Sequence, residues 1–173
     1  LKDRLLSHPE IVQMERRETL SGRIQEEDGS WLPFAMFAVE DFAQVQLNGF
    51  TIKEGNTDQA PGFFIEKNGA YFLEETPSTI QWQLPGVGIL TSPIRGYIHD
   101  ARLPPSRMEH MLYGFTEIEQ IEAYLDSSIH RYLIKSSHPA PDQAYLEGLQ
   151  QEVRLLAEEK HGTIRSLIIP PPG

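Results

Sequence analysis

The sequence predicts an α+β fold: a largely antiparallel sheet, strongly curled or barrel-like in one version, packed by two C-terminal amphipathic helices. Two observations carry this. Before Phe115, short apolar runs alternate with Gly, Asn and Pro, whereas after it apolar residues recur every three or four positions. Strand periodicity followed by helix periodicity is the pattern of an α+β chain. A third observation concerns the sheet's faces. Ile80, Trp82 and Leu84 alternate with Thr79, Gln81 and Gln83, which describes a half-buried strand with one wet face.

Taken in order, Ser7-His8-Pro9-Glu10 has capping-box spacing and predicts a short helix carrying Ile11, Val12 and Met14. Thr19 to Gln25 reads as a strand, and Asp28-Gly29 supplies a tight turn. Trp31 to Val39 returns as a second strand, apolar on both faces and therefore central, with Pro33 near its start. Gln44 to Lys53 reads as two short strands around Asn48-Gly49, or as one bulged strand. Glu54 to Pro61 is loop-like.

Gly62 to Glu75 carries the clearest hairpin signal: Phe63-Phe64-Ile65, then Asn68-Gly69, then Tyr71-Phe72-Leu73. Successive strand side chains point to opposite faces, so Phe63 and Phe64 are both protected only if both faces are covered. Pro85-Gly86-Val87-Gly88 is a turn, and Ile89 to Leu103 holds one or two further strands around Pro93. Thr116 and Glu119 form a second capping box, followed by the stripe Ile118, Ile121, Leu125, Ile129 and Tyr132 or Leu133. Pro141-Asp142 opens the last helix, with Tyr145, Leu149, Val153 and Leu156 on one face; Lys160, His161 and Gly162 end it, and Ile164 to Ile169 has room for a final strand.

The 173 residues suit one domain over residues 1–169, with the proline-rich 170–173 as a tail or linker. Leu1 in place of Met suggests a trimmed or processed start. No apolar run is long enough to span a membrane. Cysteine is absent, which excludes disulfides, Cys-based zinc sites and thiol nucleophiles. It points to the cytoplasm, and fits a disulfide-free secreted protein as well. The formal charge of −10 argues against nucleic-acid binding.

One segment departs from that acidity. Residues 93–113 hold three Arg against Asp100 and Glu109, a local sum of +1. Its candidate binding residues are Arg95, Tyr97, His99, Arg102, Arg107 and His110. On a regular strand Arg95, Tyr97 and His99 share one face, with Ile94 and Ile98 on the other. Such a row, displayed outward, suits an anionic ligand or an acidic partner, because Arg presents a planar fork to carboxylate or phosphate.

Chemical signatures are otherwise missing. There is no His-Glu-x-x-His, nucleophile elbow, phosphate loop or dinucleotide fingerprint. No metal and no cofactor is predicted. The acidic pairs Glu26-Glu27, Glu74-Glu75 and Glu158-Glu159 read as solvated turns or helix ends. The scattered acids do not form the regular file that a nucleic-acid mimic needs. The sequence therefore favours a non-catalytic protein-interaction domain of adaptor, accessory or immunity type, using a sheet face or groove to hold a protein partner. The alternative is a small enzyme or anionic-ligand binder with its site around residues 95–110. Neither reading involves nucleic acid or membrane.

Overall fold

The computed structural model describes residues 2–26, 28–45, 49–55, 60–73, 77–104, 106–139 and 141–158. The fold is α+β, with a large, mostly antiparallel sheet of eight strands. Two compact units make up the chain: residues 15–132, and residues 1–14 with 133–173.

In the larger unit, β1 (Ile11–Gln25) continues from the smaller one and pairs antiparallel with β2 (Trp31–Val39) around Gly29, whose φ is 86°. β2 is central: β7 (Leu112–Glu117) lies parallel on its other side, and most of β2 is buried. β3 (Thr51–Gly55) and β4 (Phe63–Glu66) follow, then β5 (Thr79–Leu84) and β6 (Gly88–His99). The pairings run β2-β7-β4-β6-β5-β1, and β1 meets β2 again, so the strands form a closed ring.

Both faces of the ring are covered at β4. One cluster gathers Ile24, Phe34, Phe63, Trp82, Leu112 and Ile121, and a second gathers Val39, Phe42, Phe64, Ile98 and Phe115. Phe63 and Phe64 thus feed opposite clusters from adjacent positions. In the first, the rings of Phe34, Phe63 and Trp82 lie 5.5–6.3 Å apart in tilted and edge-on contacts, the arrangement aromatic quadrupoles favour.

Several expected elements differ. The hairpin over Gly62 to Glu75 does not form. Gly69 is right-handed (φ −84°) rather than left-handed as a type I′ turn requires, and Glu66 accepts hydrogen bonds from the amides of Asn68 and Gly69. A 3₁₀ turn, Ala70–Phe72, follows, and β4 pairs with β6 and β7 instead. The two C-terminal helices are unequal. Thr116 belongs to β7, its hydroxyl donating to the Gly62 carbonyl, so the first helix shrinks to the single turn α3 (Ile118–Ile121). A four-residue helix, α2 (Ser106–Glu109), precedes β7. The Asn48-Gly49 turn lies partly outside the described residues, and the strand expected at Ile164 to Ile169 and the proline tail lie wholly outside them.

In the smaller unit, α1 (Lys2–Leu6) precedes the Ser7–Glu10 segment instead of following it. Ser7 ends this helix by donating to the Arg4 carbonyl. β8 (Tyr132–Ser136) pairs with β1. The expected last helix forms as α4 (Gln143–Glu158), capped by Asp142, which accepts from the Tyr145 amide. Leu149, Val153 and Ala157 are its buried stripe. Glu10 accepts from the Tyr145 and Ser137 hydroxyls. The Tyr145 bond is the main cause that holds the Glu10 carboxyl below its ordinary range, and it raises the Tyr145 phenol.

Two predictions follow from these contacts. A Cβ on Gly22 would lie 2.3 Å from the Gln83 carbonyl oxygen, at the seam where β1 meets β5. Gly22→Ala should destabilise the chain by about 1–3 kcal/mol, whereas Gly148→Ala, in open space on α4, should stabilise it by about 0.5–1 kcal/mol; urea titration distinguishes the two. Since folding depresses Glu10, its contribution is present above the ordinary carboxylate range and fades as pH falls through the depressed value. Tyr145→Phe should move the Glu10 midpoint upward in a carboxyl-carbon NMR titration.

Candidate functional site

β6 sets the position of every candidate residue before its end, and it is not a regular strand. Phe63 pairs with Ile94, but Phe64 pairs with Gly96, so Arg95 is an extra residue on the β6 side. The bulge depends on glycine. Gly96 has φ 149°, and a Cβ there would lie 2.0 Å from the Glu54 carbonyl oxygen.

The bulge changes which side chains share a face. Ile94 and Tyr97 pack on the first cluster, while Ile98 belongs to the second. The Arg95 guanidinium lies over the rings of Phe64 (4.8 Å) and Phe42 (5.7 Å), also in the second. The expected row Arg95–Tyr97–His99 is therefore broken at its first member. Arg95 is sealed in the interior: its side chain is 4% exposed and pairs with Glu117, which is 7% exposed. The reason is physical. An unpaired guanidinium among aromatic rings is costly, but one with a buried carboxylate and two π faces is compensated.

The remaining candidates lie at the end of β6 and on the segment that leads to β7. The His99 side chain is 37% exposed, with Nδ1 3.2 Å from Glu66 Oε1. Glu66 itself is buried, its other oxygen held by two backbone amides. Arg102 is 47% exposed and forks onto Asp100, which is buried and also accepts from the Arg102 amide. His110 is exposed, in the left-handed region (φ 47°), with its ring 6.3 Å from that of Phe72. Arg107 is in α2, and its side chain lies outside the described ones. Tyr113, which ends the segment without being one of its candidate binding residues, is buried; desolvation first, then the Glu109 and Glu66 carboxylates, push its phenol above the ordinary range.

Arg95, His99 and Arg102 thus each face a buried carboxylate. The net positive tint expected of this segment is offset by Glu117 and Glu66, which come from outside it, while Asp100, already counted within it, holds Arg102. Among the described residues, no three His, Asp or Glu side chains converge as a metal site.

A different surface emerges next to this segment. Residues 76–94 contain no Asp, Glu, Lys, Arg or His, in a chain of which 23% is charged. This stretch includes all of β5, the turn and most of β6. Ile80, Trp82 and Leu84 face inward, and the Trp82 indole donates to Ser92 Oγ at 2.8 Å. Outward, the cross-strand pairs are Thr79–Pro93, Gln81–Thr91 and Gln83–Ile89. Ile89 is 57% exposed, and Val87 is exposed at the turn. The alternation of β5 was readable in the sequence. The charge-free run was readable too, but only by asking where charge is missing rather than where it gathers.

Removing the Arg95 cation should leave Glu117 buried and uncompensated. Arg95→Ala is expected to cost about 3–5 kcal/mol, and Arg95→Met with Glu117→Leu much less; paired denaturant titrations measure both.

No known protein family matches the chain, and no curated protein matches it. Among solved structures it is similar to the periplasmic region of MacB from Actinobacillus actinomycetemcomitans, at 11% identity, over 89% of this chain and 71% of that one, with a TM-score of 0.55. The likeness is one of fold. Among the described residues, no helix is long and apolar enough to cross a membrane.

Proposed function

We propose that this chain is a non-catalytic protein-interaction domain, and that the outer face of the β5–β6 hairpin receives its protein partner. The observation that carries the reading is the absence of charge over residues 76–94, combined with the exposure of Val87 and Ile89. Interface cores are depleted in charged residues and ringed by polar ones. A face of Thr, Gln and Ile meets that description, and Arg23, exposed beside Gln83 on β1, supplies a charged residue at its rim. The fold likeness to a periplasmic region supports a working place outside the cytoplasm, where a cysteine-free domain has no thiols to oxidise. The alternative, an anionic ligand held by His99, Arg102 and His110, has less in its favour: two of these three already face a carboxylate of the same chain.

A photo-crosslinking side chain tests the reading. Placed at Gln81, on the hairpin face, it should yield one protein adduct in cells; placed at Glu119, exposed on α3, it should yield none. Ile89→Asp should abolish the Gln81 adduct while leaving the melting temperature within a few degrees. Equal adducts from both positions, or none from Gln81, would remove the hairpin as the partner surface.

A further inference from the structure

The hairpin face continues past β5 onto β1 and β2. Arg23 on β1 pairs with Gln83, and Ile24 pairs with Trp82. Ile24 and Trp82 both belong to the first cluster, so Arg23 and Gln83, one position along, point the other way. Pro33 is the partner of Arg23 on β2, and Ile89 is the partner of Gln83 on β6. One outward row therefore crosses four strands: Pro33, Arg23, Gln83 and Ile89. Pro33, Arg23 and Ile89 are exposed, and Gln83 is half-buried.

Arg23 is the charged member of that row. Along β1 its neighbours on the same face are Ser21 and Gln25, so its nearest outward neighbours on three strands carry no charge. Glu26, the next acid along β1, turns to the Ser30 hydroxyl at 2.6 Å. Among the described residues Arg23 makes no ion pair, whereas Arg16, Arg17, Arg95 and Arg102 each hold a carboxylate of their own chain. An open guanidinium amid uncharged surface, in a chain of charge −10, is complementary to an anion from outside. Its planar fork matches a carboxylate with two parallel hydrogen bonds. A polyanion would set many charges against the acidic remainder of the chain. A single side-chain carboxylate, set in an uncharged protein surface, matches the composition of the row.

We infer that Arg23 is the charged anchor of this face, and that the protein partner presents to it one Asp or Glu carboxylate surrounded by uncharged residues. The inference rests on the reading of the hairpin face as the partner surface and deepens it by naming what the partner carries. With the partner seated, Pro33, Gln83 and Ile89 keep water from the pair, the setting in which interface arginines contribute most.

Calorimetric titration of the whole chain with the protein recovered in the Gln81 adduct tests the anchor. Arg23→Gln removes the charge, and Arg23→Lys keeps it without the fork; both lie on the surface and should leave the melting temperature unchanged. Arg23→Gln should raise the Kd about thirtyfold or more, and Arg23→Lys by less. Arg23→Glu should abolish binding, and changing one Asp or Glu of the partner to Arg should restore it. If Arg23→Glu lowers the melting temperature, Arg23→Gln decides. A Kd indifferent to Arg23→Gln, or a loss of binding that no reversed acid of the partner restores, overturns the anchor yet leaves the partner face standing. Absence of any wild-type adduct at Gln81 would remove the face and the anchor together.

Discussion

One extra residue in β6 governs the arrangement around it. Where Arg95 is inserted, the strand changes phase, so that Ile94 and Tyr97 serve one cluster and Arg95 and Ile98 the other. Without the slip, Ile94 and Ile98 would share one face and Arg95 and Tyr97 the other. The slip also lets β6 exchange neighbours, with β5 along its first half and β4 and β3 along its second. Close backbone approach at Gly55 and Gly96 makes the exchange possible, since neither position has room for a side chain. Bulges commonly re-aim side chains in this way.

The acids and bases of the chain follow a consistent rule. Glu18, Glu66, Asp100 and Glu117 are buried, and each has a cationic or ionisable neighbour: Arg16 and His130, His99, Arg102, and Arg95. Arg16 shows the balance. Desolvation pulls its pKa down, but hydrogen bonds to Glu18 and Glu122 outweigh that and hold it up. In a chain with ten more acids than bases, several of the few cations are committed to internal acids. Each such pair cancels internally, so the acidity of the chain rests on the acids outside these pairs, and the uncharged run 76–94 stands apart from it.

Much of the fold was legible because local signals and tertiary demands agreed. The alternation of β5, the all-apolar β2 and the stripe of α4 each describe one environment along a whole element. The fold departs from the sequence pattern where another contact, near or far along the chain, overrode a local preference. Asn68-Gly69 is a good hairpin turn, but the carboxylate of Glu66 captured its amides and the 3₁₀ turn followed. Thr116 is a good helix cap, but parallel pairing with Ala38 kept it in a strand. The same holds for the candidate site. Composition could locate a cluster of Arg and His, but strand phase could not be followed through an unforeseen bulge, and burial of Arg95 depended on a glutamate 22 positions away.

The closed ring has a consequence for how the larger unit reaches its native state. β1 with β2, and β5 with β6, join neighbours in sequence and need only short loops to close. The parallel registers, Phe34 with Leu112 among them, join residues far apart along the chain. Contacts of high sequence separation form late and slow folding. Until β7 enters between β2 and β4, each of those strands is a bare template for a neighbouring chain during synthesis, so the last strand to arrive also ends the period of greatest aggregation risk.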